Sequence, residues 1–142
     1  MIDVVQVTRV LRATPQDVFE AWTDPRLLQH WLCPDPGVVG EVTCDPVVGG
    51  TYRLIMVFDH GAQMVTGEYL EVDPPYRLVF TWLTDRTAGQ PTQVTVTLRP
   101  DGDLTEMTIT HERLPSDNYR ASASWAWANV VDRLDRTLTR SG

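Results

Sequence analysis

The order of the predicted elements limits the fold of this chain more than any single motif does. The residues predict one strand, two short helices, about six further strands and one long C-terminal helix. Turn signals separate most of the later strands, so we expect them to pair antiparallel. A curved antiparallel sheet closed by one terminal helix leaves a hollow between the two. The sequence therefore predicts a container for a small molecule before it predicts a catalyst.

Two proline-containing caps mark the short helices. Thr14 followed by Pro15 is typical of an N-cap with proline at the first helical position. Asp24 and Pro25 repeat this signal, so a second helix should follow almost directly. Residues 33–37 contain two prolines and one glycine, which end that helix. We expect a loop there, at the mouth of whatever the sheet encloses.

Strand signals then recur as far as residue 113. Apolar and polar residues alternate through most of these segments, and Gly, Pro and Asp mark the turns between them. In the segment 77–84 apolar residues fall on both parities, which predicts a strand covered on both faces. The predicted strands cover residues 2–12, 38–44, 51–59, 64–72, 77–84, 93–98 and 104–111.

Residues 116–140 predict the long terminal helix, with Ser116 or Asp117 as its cap. One stripe of large residues at helical spacing should lie on the sheet; it consists of Trp127, Val131, Leu134 and Leu138. Trp125 points nearly the opposite way, on a stripe with Ala121 and Ala128. This second stripe is either a contact surface, such as a dimer interface, or a partly exposed indole under a loop.

Length and charge narrow the class of protein. The chain has 142 residues, 42% of them hydrophobic, which suits one core and predicts a single domain over residues 1–142. The net charge is −7 at pH 7, with 12 Lys plus Arg against 19 Asp plus Glu. Because an acidic chain does not attract phosphate backbones or anionic lipid, we expect neither nucleic acid nor membrane as a partner.

Signals for targeting, metal or cofactor binding are absent from the sequence. The first residues lack a basic region followed by an apolar run, and no segment approaches the roughly 18 apolar residues that span a bilayer. We therefore expect a soluble, cytoplasmic protein. Cys33 and Cys44 lack CxxC spacing and a clustered histidine, so they predict two reduced thiols. No metal-ligand spacing or glycine-rich phosphate loop occurs, so no metal and no cofactor are expected.

Several segments together resemble the activator of Hsp90 ATPase homologue-like family. They are residues 13–25, 30–34, 49–53, 67–72, 74–82 and 127–134. The residues around Leu32 and Cys33 depart from the family, which usually has glycine or another aromatic residue there. The resemblance implies an α+β helix-grip fold of the START-like, or polyketide cyclase and Bet v 1-like, superfamily. In that fold a curved antiparallel sheet of about six to seven strands wraps around the long C-terminal helix and encloses a cavity.

The family takes its name from a co-chaperone with a separate N-terminal domain that binds and activates Hsp90. The present sequence begins at the first strand of the grip domain. We therefore regard Hsp90 activation as doubtful for this chain.

Strand parity suggests which side chains face the cavity. In the last strand Met107, Ile109 and His111 share one face, so they point inward together. A wall of aromatic and Met side chains with few polar groups is typical of a site for a hydrophobic or aromatic ligand. The alternative is that these residues only fill the core. The predicted ligand-binding residues are Trp31, Tyr52, Met56, Phe58, Phe80, Trp82, Met107, Ile109, His111 and Trp127.

His111 is a weak candidate for acid or base catalysis, since it lacks an identified nucleophile. Glu68 would orient it if both side chains shared the inner face. Three functions follow from these observations. The first is binding of a small, largely apolar molecule. The second is an enzyme of the cyclase, aromatase or lyase kind that uses His111. The third is a chaperone-linked or dimerising module that uses Trp125, which would make the protein a homodimer.

Overall fold

The computed structural model describes residues 3–87 and 89–141 of the chain. Ile2, at the start of the first predicted strand, and Ala88, in the polar loop before the sixth, lie outside these ranges. The elements are β1 (Val5–Leu11), α1 (Pro15–Thr23), α2 (Pro25–Trp31), β2 (Val38–Cys44), β3 (Thr51–Phe58), β4 (Gly61–Asp73), β5 (Arg77–Trp82), a 3-10 turn (Asp85–Thr87), β6 (Thr92–Asp101), β7 (Leu104–Glu112) and α3 (Asp117–Ser141). The predicted order of elements is confirmed.

The seven strands form one antiparallel sheet in the order β1-β7-β6-β5-β4-β3-β2. Consecutive strands from β2 to β7 are neighbours, and β1 closes the other edge beside β7. The register shifts between Val39 and Glu41 and again between Tyr69 and Glu71. Such irregularities bend a strand and increase its twist. The sheet therefore curls toward the face that carries α3, as in the predicted helix-grip fold.

The predicted helix caps are present. The Thr14 hydroxyl accepts a hydrogen bond from the backbone N–H of Asp17 at 3.2 Å. The Asp24 carboxylate accepts one from the N–H of Arg26 at 2.9 Å. Proline occupies the first turn in both helices, where no backbone donor is needed. Both helix starts therefore follow from local sequence alone, because each cap satisfies a donor that the helix leaves unpaired.

The two short helices fill one end of the sheet. Trp22 of α1 and Trp31 of α2 pack edge to face with ring centres 4.7 Å apart. The Trp22 indole N–H points at the Met107 sulfur at 3.4 Å, and the Trp31 indole N–H donates to the Ala21 carbonyl at 3.1 Å. Buried indoles of this kind need a partner for their N–H, and both have one. This end of the molecule is consequently a packed core.

The second half of α3 packs against the sheet through Val131 and Leu134, both fully buried, as the predicted stripe requires. Ion pairing between Arg9 of β1 and Asp132 ties the same part of the helix to the edge strand.

Among the helices in the described ranges, none is long and apolar enough to cross a membrane.

Candidate functional site

A cavity of about 680 Å³ lies between the first half of α3 and the sheet. It is surrounded by the first half of α3, the loop after α2, the β3–β4 hairpin, the ends of β5 and β7, and the 3-10 turn that carries Arg86. Most of its lining is apolar or aromatic. The volume lies within the range of roughly 300–1,000 Å³ typical of small-molecule sites.

α3 carries several small side chains in its first half, beside Tyr119, Trp125 and Trp127, and these small side chains contribute to the hollow. Its first half presents Ala121, Ser122, Ala123 and Ala126 to the cavity, whereas its second half presents Val131, Leu134 and Leu138 to the core. Small side chains cannot reach across to the curved sheet, so they leave the space open. The cavity is thus a consequence of residue volume on a regular helix, without any break in it.

Aromatic rings form the floor of the cavity. The ring centres of Trp82 and Trp127 are 5.6 Å apart, and those of Trp127 and His111 are 6.0 Å apart at nearly a right angle. Tyr119 stands edge to face with His111 at 6.2 Å. Spacings of 4.5–7 Å with tilted or perpendicular planes are the favourable ones for aromatic pairs. The floor is therefore a mutually supporting set of rings contributed by β5, β7 and α3.

His111 connects two of these rings through hydrogen bonds. The Trp127 indole N–H donates to Nδ1 of His111 at 3.0 Å. An indole N–H can only donate, so Nδ1 accepts and the neutral imidazole carries its proton on Nε2. Nε2 then donates to the Thr92 hydroxyl at 2.7 Å, and that hydroxyl donates to the Trp82 carbonyl at 2.7 Å. The chain of donors and acceptors is complete, and both nitrogens of His111 are engaged.

The surroundings of His111 oppose its protonation. The side chain is 1% exposed, and burial lowers its pKa from an ordinary value near 6.5 to about 4. Glu68 does not orient it, because Glu68 is exposed on β4 whereas Tyr69 is the neighbour that points inward. Glu112 accepts a hydrogen bond from Gln93 instead. At neutral pH His111 is therefore an uncharged connector of the cavity floor.

The loop after α2 is tied to α3 at the mouth of the cavity. The Asp35 carboxylate pairs with Arg133 at 3.3 Å and with Arg136 at 3.0 Å. The backbone N–H of Asp35 donates to the Asn129 side chain at 3.1 Å. Arg133 also donates to the carbonyls of Cys33 and of Gly37. The residues that hold this loop follow at positions 129, 133 and 136, one face of the helix.

The opposite side of the mouth is formed by the β3–β4 hairpin. Phe58 and His60 stack with their ring centres 5.4 Å apart. Phe58 packs directly over Gly37, where a Cβ atom would lie 2.5 Å from the ring. A side chain at position 37 would displace Phe58, so glycine at this position keeps the hairpin close to the loop.

The structure separates the sequence-predicted residues into three groups. Met56, Phe58, Trp82, His111 and Trp127 line the cavity. Tyr52 and Phe80 line a smaller void of about 20 Å³ on the far side of Trp82. Trp31, Met107 and Ile109 are buried in the core and line neither space.

The reason for this separation is that α1 and α2 already cover one end of the inner sheet face. Met107 meets the indole of Trp22 there, and Trp31 meets the α1 backbone. Inward parity predicts burial correctly for Met107 and Ile109. It does not distinguish the end of the sheet that helices fill from the end that stays open.

The loop of residues 33–37 lies at the cavity mouth as predicted, but sequence reasoning did not place Tyr119, Arg86 and Leu32 at the site. Trp125 was noticed only as part of a separate stripe. It lines the cavity mouth together with Ala121 and is 59% exposed. Helical spacing from Trp127 back to Ala123 and Tyr119 was the available signal, since these three positions share one face of α3.

Metal binding and thiol chemistry receive no support from the geometry. In the described part of the chain, no three His, Cys, Asp or Glu residues cluster in a way that holds a metal ion. Burial raises the pKa of the Cys33 thiol to about 11, so the thiol stays protonated at neutral pH. Cys33 accordingly behaves as a small apolar side chain beneath the mouth loop.

A seven-stranded antiparallel sheet wrapped around a C-terminal helix, with an apolar cavity between them, defines a helix-grip protein of the START-like class. Residues 12–139 match the family model described as activator of Hsp90 ATPase homolog 1-like protein. The chain therefore belongs to that family. A search of curated proteins finds no match.

Solved structures of similar proteins share the fold over nearly the whole chain. A protein from Chromobacterium violaceum is 26% identical with a TM-score of 0.85, covering 94% of this chain and 95% of its own. The AHSA1 protein from Silicibacter pomeroyi is 20% identical with a TM-score of 0.83, covering 98% and 99%. DynU16, a protein in the dynemicin biosynthetic locus, is 28% identical with a TM-score of 0.79, covering 96% of this chain and 47% of its own.

Proposed function

We propose that this protein binds a small, largely apolar molecule, aromatic in at least one part, in the cavity between α3 and the sheet. The single observation that carries this proposal is the open 680 Å³ cavity floored by Trp82, Trp127, His111 and Tyr119. A fold that only needed a core would fill this space. Here the helix uses alanine and serine where larger residues would fit.

The energetics favour a flat aromatic ligand. Each aromatic pair contributes about 0.5–1.5 kcal/mol beyond the area it buries, and Trp125 offers an exposed ring at the mouth. Trp125 is 59% exposed. A ligand at the mouth would remove part of this indole from water, which stabilises the complex by about 25 cal/mol for each Å² of apolar surface buried.

One of the similar proteins supports a role with small molecules. DynU16 belongs to the dynemicin biosynthetic locus, and proteins of a biosynthetic locus act where small organic molecules are made. The sequence identity of 28% extends over 96% of the present chain. We take this likeness as support for the class of ligand, a small organic molecule, and for nothing narrower.

An enzyme of the cyclase, aromatase or lyase kind is less well supported. Its acid or base was to be His111, but Trp127 and Thr92 engage both imidazole nitrogens, and the buried ring is neutral at pH 7. A general base must reach a substrate proton with a free lone pair. His111 offers none without breaking the bond from Trp127.

The interaction-module alternative depended on Trp125 as a contact for a second chain. Because Trp125 and Ala121 line the cavity mouth, their exposure already has an explanation in ligand binding. Ala128, the third member of that stripe, does not line the cavity.

A matched pair of substitutions on α3 tests the proposal. Ala126→Leu places a larger side chain in the cavity, whereas Ala128→Leu makes the same change on an exposed position outside it. Phenylnaphthylamine, a neutral aromatic dye, reports binding by fluorescence. We expect the wild type and Ala128→Leu to bind it equally and Ala126→Leu to bind it at least about tenfold more weakly.

Two results would contradict the proposal. One is no dye uptake by the wild-type protein. The other is equal uptake by all three proteins, which would place the dye somewhere other than the cavity. Native mass spectrometry of the protein purified from its own host then identifies any natural ligand, since a molecule held in the cavity adds its mass to the chain.

A further inference from the structure

Arg86 is an arginine on the aromatic wall of the cavity. It lines the cavity, and its guanidinium carbon lies 5.6 Å from the centre of the Tyr119 ring. Tyr119 in turn packs against His111 of the floor. A guanidinium that lies over an aromatic face keeps its N–H edge free to donate hydrogen bonds. Arg86 therefore presents hydrogen-bond donors at the edge of the apolar floor, near the cavity mouth.

The backbone beneath Arg86 is held in place by a closed set of hydrogen bonds. The Thr87 hydroxyl donates to the Thr84 carbonyl at 2.8 Å and accepts from the Thr84 N–H at 3.3 Å. The Arg86 N–H donates to the Thr84 hydroxyl at 3.0 Å. Both threonines are buried. Both hydroxyls form hydrogen bonds within the turn. The backbone that carries Arg86 is therefore held in a fixed position.

Of the arginines in the described residues, only Arg86 lines the cavity. Seven arginines of the described residues form ion pairs with carboxylates: Arg9, Arg26, Arg53, Arg77, Arg99, Arg133 and Arg136. Arg86 has no carboxylate partner within the described ranges. Two carboxylates also line the cavity: Asp35, which Arg133 and Arg136 neutralise, and Asp59 on the β3–β4 hairpin, which forms no ion pair with Arg86. The cation at this rim is thus available to a ligand.

We propose that the ligand of this cavity is an aromatic acid whose anionic group, a carboxylate or sulfonate, is bound by Arg86 while its rings pack on the Tyr119 and Trp125 side of the wall. This inference rests on the proposed function and adds the charge of the ligand. The planar guanidinium fork matches the two oxygens of such a group. Because the chain carries a net charge of −7, an anion is attracted only where a cation is specifically placed.

Two dyes that share one ring system test the inference. Anilinonaphthalene sulfonate carries an anionic group, and phenylnaphthylamine has the same aromatic framework without it. Arg86→Gln removes the positive charge and keeps much of the side-chain length. Arg12→Gln is the matched control, since Arg12 is also exposed, lies outside the cavity and has no carboxylate partner among the described residues. Both variants change the net charge equally.

We expect Arg86→Gln to weaken sulfonate binding about fivefold, as for a partly exposed ion pair, and to leave phenylnaphthylamine binding unchanged. Arg12→Gln should change neither. Added salt should weaken sulfonate binding to the wild type and to Arg12→Gln but hardly affect Arg86→Gln.

Equal loss of sulfonate affinity in both arginine variants would overturn the inference, because net charge alone would then account for it. So would an unchanged affinity in Arg86→Gln, or tighter wild-type binding of a naphthyl ammonium cation than of the sulfonate. In each of these cases phenylnaphthylamine binding would still support the proposed function. If neither dye binds the wild type in the cavity, the proposed function fails, and this inference fails with it.

Discussion

The two halves of α3 lie against the same sheet, but the second half fills the core whereas the first half borders the cavity. The second half inserts Val131 and Leu134, both fully buried, into a packed core. The first half turns Ala123 and Ala126 toward a cavity of about 680 Å³. The backbone of the helix is continuous through both halves. The comparison teaches that side-chain volume, and not backbone geometry, decides where this fold is filled and where it is hollow.

The largest expected effect is on stability in the filled half. Leu134→Ala removes a fully buried side chain and should lower the free energy of unfolding by about 2–5 kcal/mol. Ala126→Leu, on the hollow half, should change it by less than about 1 kcal/mol, because the cavity accepts the added volume. Urea denaturation measures both. A large loss in Ala126→Leu would mean that the first half is packed as tightly as the second.

The second prediction concerns the dependence of stability on pH that results from the burial of His111. Its folded pKa of about 4 lies below the ordinary value near 6.5, so the unfolded chain binds more protons between these values. The free energy of unfolding should be highest above about pH 6.5. It should fall by up to about 3 kcal/mol as the pH drops toward 4.

Thermal or urea unfolding across this pH range measures the effect, with His111→Gln as the comparison. That variant has no titrating side chain at this position, so its stability should depend less on pH between 4 and 6.5. An identical pH dependence in both proteins would show that His111 is not the titrating group.

The third prediction separates binding from folding at the cavity mouth. Trp125→Ala removes an indole that is 59% exposed, so the free energy of unfolding should change by no more than about 0.5 kcal/mol. Phenylnaphthylamine affinity should fall by about tenfold, because a large ring face is lost from the lining. Analytical ultracentrifugation provides the control for the dimer alternative. A change in oligomeric state with unaltered dye binding would reassign Trp125 to a protein contact.

The smallest expected effect on stability concerns the loop after α2, which contacts the middle of α3 where its two halves meet. Asp35→Asn weakens the pairs with Arg133 and Arg136, which hold the mouth loop to the middle of α3. Half-exposed pairs contribute about 0.2–1 kcal/mol each, so global stability should change little. Amide hydrogen exchange in residues 33–37 should become faster. Unchanged exchange would mean that the carbonyl contacts of Arg133 hold the loop by themselves.

The elements of the fold were predictable to a large extent. Thr14 and Asp24 cap their helices as the cap-and-proline pattern indicates, and β2 spans residues 38–44 as predicted. Inward parity of His111 also holds. These successes share one reason: each depends on hydrogen bonds or periodicity within a few neighbouring residues.

The composition of the cavity wall was only partly predictable. Met107 and Phe58 both belong to inward-facing apolar sets, yet one lies under α1 and the other at the cavity mouth. Trp125 was placed on a stripe of its own, because a helical wheel gives the angle of a side chain but not what lies opposite. Glu68 was a candidate to orient His111 only if it shared the inner face, and the residue that points inward is its neighbour Tyr69.

The sequence by itself determined the order of the elements, their caps, the antiparallel pairing and the buried stripe of the second half of α3, since local donors, turns and periodicity specify these. Only the tertiary structure decided that Arg86, Tyr119 and Trp125 surround one cavity and that His111 joins Trp127 to Thr92. The physical reason is that a cavity is the volume left over when distant segments meet. That volume depends on side chains from several distant parts of the chain, and no local pattern contains this information.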